Sequence, residues 1–277
     1  MAFKFANSQM DWITMTSKIA IIALSGGMDS TALLMRLLAD GYDVHAISYN
    51  YGQKHVVEVQ RALSNLKYLS QNGFNINHRV IDLTSAMGSF HSALTDEAIE
   101  IPEGHYEELQ MKQTVVPNRN AIFASILYGC ALSIAIKESR NVEIALGVHS
   151  GDHAIYPDCR PEFYKALEHA FEVGNWESEN VAFKLPYIDG DKETILRDAE
   201  IAISQLGLDF DTIFSNTITS YNPDWQGRSS GTSGSDVERI LAFHAIGRDD
   251  PVQYVKPWSE VLRNALTTDK NYKEINT

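Results

Sequence analysis

Short apolar runs alternate with longer amphipathic or helical stretches along most of this chain. The apolar runs lie at 18–24, 42–51, 78–84, 142–150 and 181–189, and the helical stretches at 31–39, 55–71, 120–139, 160–174 and 191–206. Apolar runs of this kind are typical of strands buried on both faces, and their alternation with helices indicates a parallel sheet covered on both sides. The predicted fold is therefore α/β, a Rossmann-like doubly wound parallel sheet.

Two polar stretches interrupt this alternation. Residues 85–117 form one long connection, and connections of that length are usually functional lids or disordered segments. The second stretch, 217–235, is rich in glycine and serine. We predict an N-terminal extension at 1–17, an α/β domain at 18–215 and a small C-terminal helical extension at 216–277, in which the amphipathic segment 258–267 docks on the domain.

Composition limits the possible partners. A formal net charge of -13 argues against a duplex nucleic acid, whose phosphates need clustered Lys and Arg. The two cysteines, Cys130 and Cys159, are too few for a disulfide scaffold or a cysteine zinc site, and they favour a reducing compartment. We find no apolar core of signal-peptide type at the N-terminus and no apolar run near membrane-spanning length. We expect a cytoplasmic protein without a membrane partner.

The sharpest local motif is LSGGMDSTALL, residues 24–34, which lies where the first strand ends and the first helix begins. Gly26 and Gly27 let the backbone present N–H groups to an anion, and the helix N-terminus adds its positive dipole end. Ser25 and Ser30 add hydroxyl donors, and Asp29 is the expected partner of a Mg²⁺ ion that accompanies phosphate. The Gly-Lys-Ser/Thr ending of a Walker A loop is missing.

The order Ser-Gly-Gly-x-Asp-Ser after a strand resembles the pyrophosphate loop of the N-type ATP pyrophosphatases, whose fold is adenine nucleotide alpha hydrolase-like. Further stretches, at 49–62, 103–126, 147–163 and 186–195, resemble the QueC family of 7-cyano-7-deazaguanine synthases. The resemblance runs from about residue 18 to residue 247. It implies an ATP-dependent ligase of deazaguanine and queuosine biosynthesis. Such an enzyme converts 7-carboxy-7-deazaguanine and ammonia to the nitrile preQ0 through adenylated carboxylate and amide intermediates. It also implies a homodimer.

The resemblance also implies site residues. It places Lys192, Asp29 and Arg119 in catalysis. The alternative for Lys192, which the motif disfavours, is an exposed lysine at a helix start, and Arg119 could equally be a salt-bridge partner at a helix N-terminus. The implied ATP contacts are Leu24, Ser25, Gly26, Gly27, Met28, Asp29, Ser30, Thr31, Tyr49, Gln53, His55 and Gly147. The implied contacts to the deazaguanine are Arg119, His149, Gly151, Asp152, Tyr156, Asp158 and Arg160. Asp158 would accept the N–H groups of the base and Arg160 would hold a carboxylate, unless either is structural. His149 or His153 alone is more typical of a structural histidine, and Cys159 of a packing residue.

The spacing of the family's four-cysteine zinc site is retained in this chain, but all four cysteines are replaced. Its four positions are Ser220, Ser230, Ser233 and Asp236. Serine hydroxyls are weak zinc ligands, and one aspartate cannot hold a structural zinc alone, so we predict no zinc. We expect the hydroxyls to bond to backbone instead. We also expect Ser235 and Glu238 to form the capping box of a helix over 236–247; an anion site or a flexible linker is the alternative.

Two other functions remain open from the sequence. A related enzyme could stop at the amide or adenylate a deazaguanine for transfer to another acceptor, because it would keep the same loop and pocket. A non-catalytic relic that binds a nucleotide or a deazaguanine is the third possibility.

Overall fold

The computed structural model of the chain describes residues 17–53, 57–96 and 98–276. Five strands form one parallel sheet in the order β3-β2-β1-β4-β5. They are β1 (Ile19–Ala23), β2 (Asp43–Asn50), β3 (Asn77–Asp82), β4 (Val142–Ala145) and β5 (Val181–Lys184). The order reverses between β1 and β4, so the carboxyl ends of these two strands mark the switch point where ligands of doubly wound sheets bind.

The helices follow the strands in chain order. They are α1 (Met28–Ala39), α2 (Val57–Gln71), α3 (Thr84–Met87), α4 (Arg119–Glu138), α5 (Pro161–Gly174), α6 (Lys192–Gln205), α7 (Phe210–Ser215), α8 (Gly234–Ala245) and α9 (Trp258–Asn276). The predicted doubly wound α/β fold with a C-terminal helical extension is confirmed. The connection 85–117 contains one further turn of 3₁₀ helix, at Leu109–Thr114.

The sheet is buried on both faces because successive β1 residues point to opposite sides. Ala20 and Ile22 lie in a core shared with α1, α2 and α6, whereas Ile19 and Ile21 lie in a second core shared with α4. All four side chains are at most 1% exposed. This two-sided burial explains why the strand reads as a continuous apolar run rather than an alternating one.

Two strands are shorter than the sequence predicts. β5 ends at Lys184, shortly before Pro186, which has no N–H for the ladder. β4 ends at Ala145, and the chain then passes close to the start of α1: a Cβ at Gly147 would lie 3.2 Å from the backbone of Asp29. Residues 146–150 therefore form part of a site rather than a strand.

The C-terminal helices pack on the α/β layers. Ala242 and Phe243 of α8 belong to the core under α1 and α6, and α9 covers the outer side of α8 through Val261 and Ala265. Helix α9 is longer than the predicted segment 258–267. Arg239 of α8 is almost fully buried and forms a two-pronged ion pair with Asp250, at 2.6 and 2.9 Å.

Helix α4 corrects one expectation about apolar length. Within the described residues it is the helix that is long and apolar enough to cross a membrane by length and composition, with 20 residues and a hydropathy of 1.5. The prediction that no apolar run approaches membrane-spanning length is therefore wrong. Ala124, Leu127 and Ala131 pack α4 onto the sheet, and apolar core helices meet the same criterion.

Candidate active site

A cavity of about 300 Å³ opens at the carboxyl ends of β1, β2 and β4. Its walls come from the phosphate loop, the ends of these strands, and the starts of α4, α6 and α8. The position agrees with the rule that parallel sheets bind ligands outside the switch point.

One glycine determines the backbone conformation of the phosphate loop, and hydrogen bonds of its serines stabilise it. Gly26 has a φ of +90°, and a Cβ there would lie 2.1 Å from the carbonyl oxygen of Glu58, so α2 packs too closely for any other residue. The hydroxyls of Ser25 and Ser30 lie 3.0 Å apart, and Gly27 N donates to Ser25 Oγ at 3.1 Å. The loop leads directly into α1, whose first N–H groups complete an anion cradle.

Lys192 lies inside the cavity between two carboxylates. Its Nζ is 2.8 Å from Glu238 Oε2 and 3.4 Å from Asp29 Oδ2, and only 6% of the residue is exposed. Burial opposes the charge, but Asp29 and Glu238 outweigh it and raise the pKa of Lys192. Burial raises the pKa of Glu238, while Lys192 opposes that shift. The lysine is thus a fixed cation beside the phosphate loop, not an exposed residue at a helix start.

His149 lies behind this group and is fully buried. Its Nε2 is 3.5 Å from Asp152 Oδ2 and 3.9 Å from Asp29 Oδ2, and its Nδ1 is 3.9 Å from Glu238 Oε1. Burial would lower the pKa of His149, but the three carboxylates raise it. The five side chains therefore form one electrostatic unit at the phosphate end of the cavity.

Aromatic side chains form another part of the wall, around Arg119. Burial raises the pKa values of Tyr51, Tyr156 and Tyr221, so all three stay neutral and can donate hydrogen bonds. Tyr156 Oη lies 3.5 Å from Tyr221 Oη. Flat rings, phenol donors and one guanidinium suit a planar polar heterocycle.

Most of the residues named from the sequence line this one cavity. They are Leu24, Ser25, Gly27, Met28, Asp29, Ser30, Tyr49, Gln53, Arg119, Gly147, Gly151, Asp152, Tyr156 and Lys192. Gly26, Thr31 and His149 lie just behind the wall, and all three are buried. His55 lies outside the described residues.

Asp158 and Arg160 do not line the cavity. Arg160 is exposed, and its Nε donates to the carbonyl oxygen of His153 at 2.8 Å. Asp158 lies in the 3₁₀ turn Pro157–Cys159, and its Oδ1 atom is buried without a hydrogen-bond partner within the described residues. The expected contacts of these two residues to the base stay a prediction. Cys159 is buried, and burial raises the pKa of its thiol, as a packing residue requires.

The sequence did not single out several wall residues, among them Glu58, Tyr51, Tyr221 and Glu238 as a partner of Lys192. Glu58 lies within the stretch 49–62 that resembles the family, and this position is the signal that could have identified it. Its carboxyl group faces Arg119, and burial raises its pKa to about 7. Tyr221 and Glu238 come from the C-terminal extension, and no periodicity links them to the phosphate loop.

The side chains at the four positions of the family's zinc site lie together. The three serines surround one oxygen atom of the fourth residue, Asp236. Asp236 Oδ2 accepts hydrogen bonds from the hydroxyls of Ser220, Ser230 and Ser233, each at 2.8 Å, and from Gly231 N at 3.1 Å. The carboxylate thus satisfies the donors that surround it. Three hydroxyls already engaged with one carboxylate do not fit a structural zinc, which takes thiolate or imidazole ligands. The main acceptor is this carboxylate and not the expected backbone.

The capping box of α8 differs from the prediction by two residues. Ser233 is the N-cap, its hydroxyl accepts from Asp236 N at 3.3 Å, and the Asp236 side chain bonds back to Ser233 N. Ser235 lies within the helix and donates to the carbonyl oxygen of Thr219 at 2.8 Å. The prediction of Ser235 and Glu238 as the box is wrong, because Glu238 instead binds Lys192.

The doubly wound sheet, the Ser-Gly-Gly-x-Asp-Ser loop at its switch point and the lysine beside that loop define a protein of the ATP pyrophosphatase class. Comparison with known proteins identifies the family. The model of the queuosine biosynthesis protein QueC matches residues 19–247, which is most of the chain. The chain belongs to the QueC family.

Its curated relatives are 7-cyano-7-deazaguanine synthases. The chain is 42% identical to 7-cyano-7-deazaguanine synthase 2 of Colwellia psychrerythraea over 86% of this chain and 99% of that protein. The 7-cyano-7-deazaguanine synthase 1 of the same organism is 43% identical over 87% of this chain and 100% of that protein. The 7-cyano-7-deazaguanine synthase of Methanoregula boonei is 39% identical over 85% of this chain and 98% of that protein.

Proposed function

We propose that this protein is an ATP-dependent ligase that converts 7-carboxy-7-deazaguanine and ammonia to 7-cyano-7-deazaguanine, for queuosine biosynthesis. The observation that carries the proposal is the shared cavity of Lys192 and the phosphate loop, in a chain that matches the QueC model over 19–247. Identities of about 40% over nearly the full length of the relatives support the same reaction.

The chemistry requires two activations of a poor electrophile. The substrate carboxylate attacks the α-phosphorus of ATP and releases pyrophosphate, and ammonia then displaces AMP to form the amide. A second ATP adenylates the amide oxygen, and loss of AMP and a proton forms the nitrile. One cavity serves both steps, because both present an oxygen atom to the same α-phosphate.

The phosphate end of the cavity binds and orients ATP in this proposal. The first backbone N–H groups of α1 and the hydroxyl groups of Ser25 and Ser30 hold the β- and γ-phosphates. Lys192 places a buried positive charge beside the α-phosphate, where negative charge grows in the transition state. Glu238 and Asp29 hold the lysine in that position.

The aromatic end binds the deazaguanine. Tyr51, Tyr156 and Tyr221 supply ring surface and neutral O–H donors, and Arg119 supplies a fixed cation for a substrate oxygen. Glu58 faces Arg119 in the same part of the wall and is the carboxyl group there that can accept N–H groups of the base.

A Mg²⁺ ion fits beside Asp29. The Oδ1 atom of Asp29 is buried and has no hydrogen bond within the described residues, so it is free to bind a hard cation. Such an ion would neutralise charge on the ATP phosphates. We propose no zinc at Ser220, Ser230, Ser233 and Asp236, on the hydrogen bonds around Asp236.

We also propose a homodimer in the cytoplasm. The outer side of α4 supports the dimer, since Ser125, Gly129, Ser133 and Ile136 are exposed along it and would let a second helix approach closely. Light scattering at the elution peak of a size-exclusion column tests it, and a monomeric mass at micromolar concentration would contradict it.

Mass spectrometry of one reaction tests the function. The purified protein is incubated with ATP, Mg²⁺, an ammonium salt and 7-carboxy-7-deazaguanine. We expect the nitrile and two AMP per product. Accumulation of the amide or of an adenylate would mean a changed reaction, and no AMP with any carboxylate substrate would mean a binding protein.

A further inference from the structure

His149 is a buried polar side chain that the proposed reaction leaves unused. It is 0% exposed, and neither ring nitrogen makes a hydrogen bond within the described part of the chain. A buried imidazole without a hydrogen-bond partner is costly, so its position needs an explanation. Its nearest polar neighbours are the carboxylates of Asp152, Asp29 and Glu238, at 3.5 to 3.9 Å.

A glycine lets this histidine and Glu238 pack closely together. A Cβ at Gly151 would lie 2.5 Å from Glu238 Oε1 and 3.0 Å from both Nδ1 and Cε1 of His149. The φ of Gly151 is not positive, so the backbone conformation does not demand glycine there. Glycine is needed because the imidazole and the carboxylate both approach the backbone of this residue.

The charges around this space do not balance. Asp29, Asp152 and Glu238 contribute three negative charges, and Lys192 contributes one positive charge. The group therefore has an excess of carboxylates around a fully buried imidazole; Glu238 is nearly buried, whereas Asp29 and Asp152 are partly exposed. Buried charge of one sign is unfavourable unless a counter-ion compensates it.

We propose that His149, Asp152 and Glu238 bind a divalent cation in the wall of the cavity. One donor atom from each of the three residues lies within 4.8 Å of the others. Ligands of one ion at about 2.1 Å lie roughly 3 to 4 Å apart, so small side-chain movements complete the site. Gly151 allows His149 and Glu238 to converge, and the net negative charge of the group favours a cation.

The ligand set selects the kind of ion. One imidazole nitrogen with two carboxylate oxygens suits Mn²⁺, Zn²⁺ or Fe²⁺ better than Mg²⁺, which prefers oxygen alone. The site is therefore separate in chemistry from the Mg²⁺ that we assign to Asp29. Binding at this site does not depend on the proposed reaction, because all three ligands belong to the chain.

Mn²⁺ binding to the chelator-treated, nucleotide-free protein tests the proposal. We expect loss of the free Mn²⁺ signal in electron paramagnetic resonance and a ¹⁴N coupling from imidazole in pulsed spectra. His149→Gln should remove the ¹⁴N coupling and weaken binding by at least about tenfold, the loss common even for outer-sphere partners. Gly151→Ala should weaken binding while every ligand stays in place. His169→Gln, an exposed histidine on α5, is the matched control and should change nothing.

Three results would overturn the proposal. One is no Mn²⁺ binding to a wild-type protein that is folded by circular dichroism. Another is binding without a ¹⁴N coupling. The third is binding that survives in His149→Gln but is lost in Asp29→Asn, because the ion would then sit at the phosphate loop.

Discussion

Lys192 at the start of α6 and Glu238 in α8 form a buried ion pair at 2.8 Å. The pair joins the α/β layers to the C-terminal helices inside the cavity. The C-terminal extension therefore supplies part of the site, and a change in either helix affects both.

Replacing Lys192 tests its role beside the phosphates. We expect Lys192→Met to lower kcat/KM for pyrophosphate release by about 100- to 1,000-fold, the usual cost of one stabilising group in a transition state. Pyrophosphate release in steady state measures the effect, and a melting curve of the variant separates it from unfolding. Lys165→Met, on the exposed side of α5, is the control. Equal kcat/KM in the Lys192 variant and wild type would remove the lysine from the mechanism.

Replacing Asp236 tests the oxygen that the serines surround. We expect Asp236→Ala to lower the free energy of unfolding by about 2 to 3 kcal/mol, because three hydroxyl groups and Gly231 N then lose their acceptor. Chemical denaturation measures the loss, with exposed Asp249→Ala as the control. The His149→Gln protein, which lacks the divalent-cation site proposed in the cavity wall, should contain no stoichiometric zinc by elemental analysis, and its melting temperature should not change with a chelator. One zinc per chain in that variant would contradict this account of the segment.

Replacing Arg239 tests the buried pair with Asp250. We expect Arg239→Met to cost about 3 to 5 kcal/mol of unfolding free energy, because Asp250 is left buried without its counter-charge. The double variant Arg239→Met with Asp250→Asn should recover part of the loss. If the double variant loses as much unfolding free energy as the two single variants together, the ion pair is not the cause of the loss.

Replacing Glu58 tests whether its burial makes the stability of the protein depend on pH. The pKa of Glu58 rises from 4.5 to about 7 in the folded protein, so the folded state holds a proton that the unfolded state releases between these values. Stability from this group is therefore lost as the pH rises from about 4.5 to about 7. We expect the stability of Glu58→Gln relative to wild type to increase over that interval and level off above it. For the exposed control Glu162→Gln, the curve of stability against pH should run parallel to that of wild type. A Glu58→Gln curve that is also parallel to wild type would mean that the Glu58 carboxyl is exposed to water.

The sequence predicts the sheet and the phosphate loop well because both depend on local signals. Apolar runs mark strands, and two glycines between a strand and a helix mark the loop. The pair of Lys192 and Glu238 joins residues 46 positions apart, so no local pattern contains it. The orientation of Arg160 depends on how the short turn before α5 packs, which residue type alone does not encode.

The capping box shows how tertiary contacts decide between two sequence patterns that predict it equally well. Ser233 with Asp236 and Ser235 with Glu238 share one spacing, and propensity does not separate them. The structure uses the first pair because Glu238 is needed at Lys192 and Asp236 is needed by the serines. A sequence pattern alone could not weigh those two requirements.

The carboxylate of Asp236 is part of the polypeptide from the moment of synthesis. A segment assembled around it needs no metal delivered by the cell and exposes no thiolate to oxidants. We therefore expect the fold of the C-terminal region to be independent of zinc supply and of redox state. The same independence makes the protein a convenient host for studying the cavity under strong chelation, where a metal-built segment would come apart.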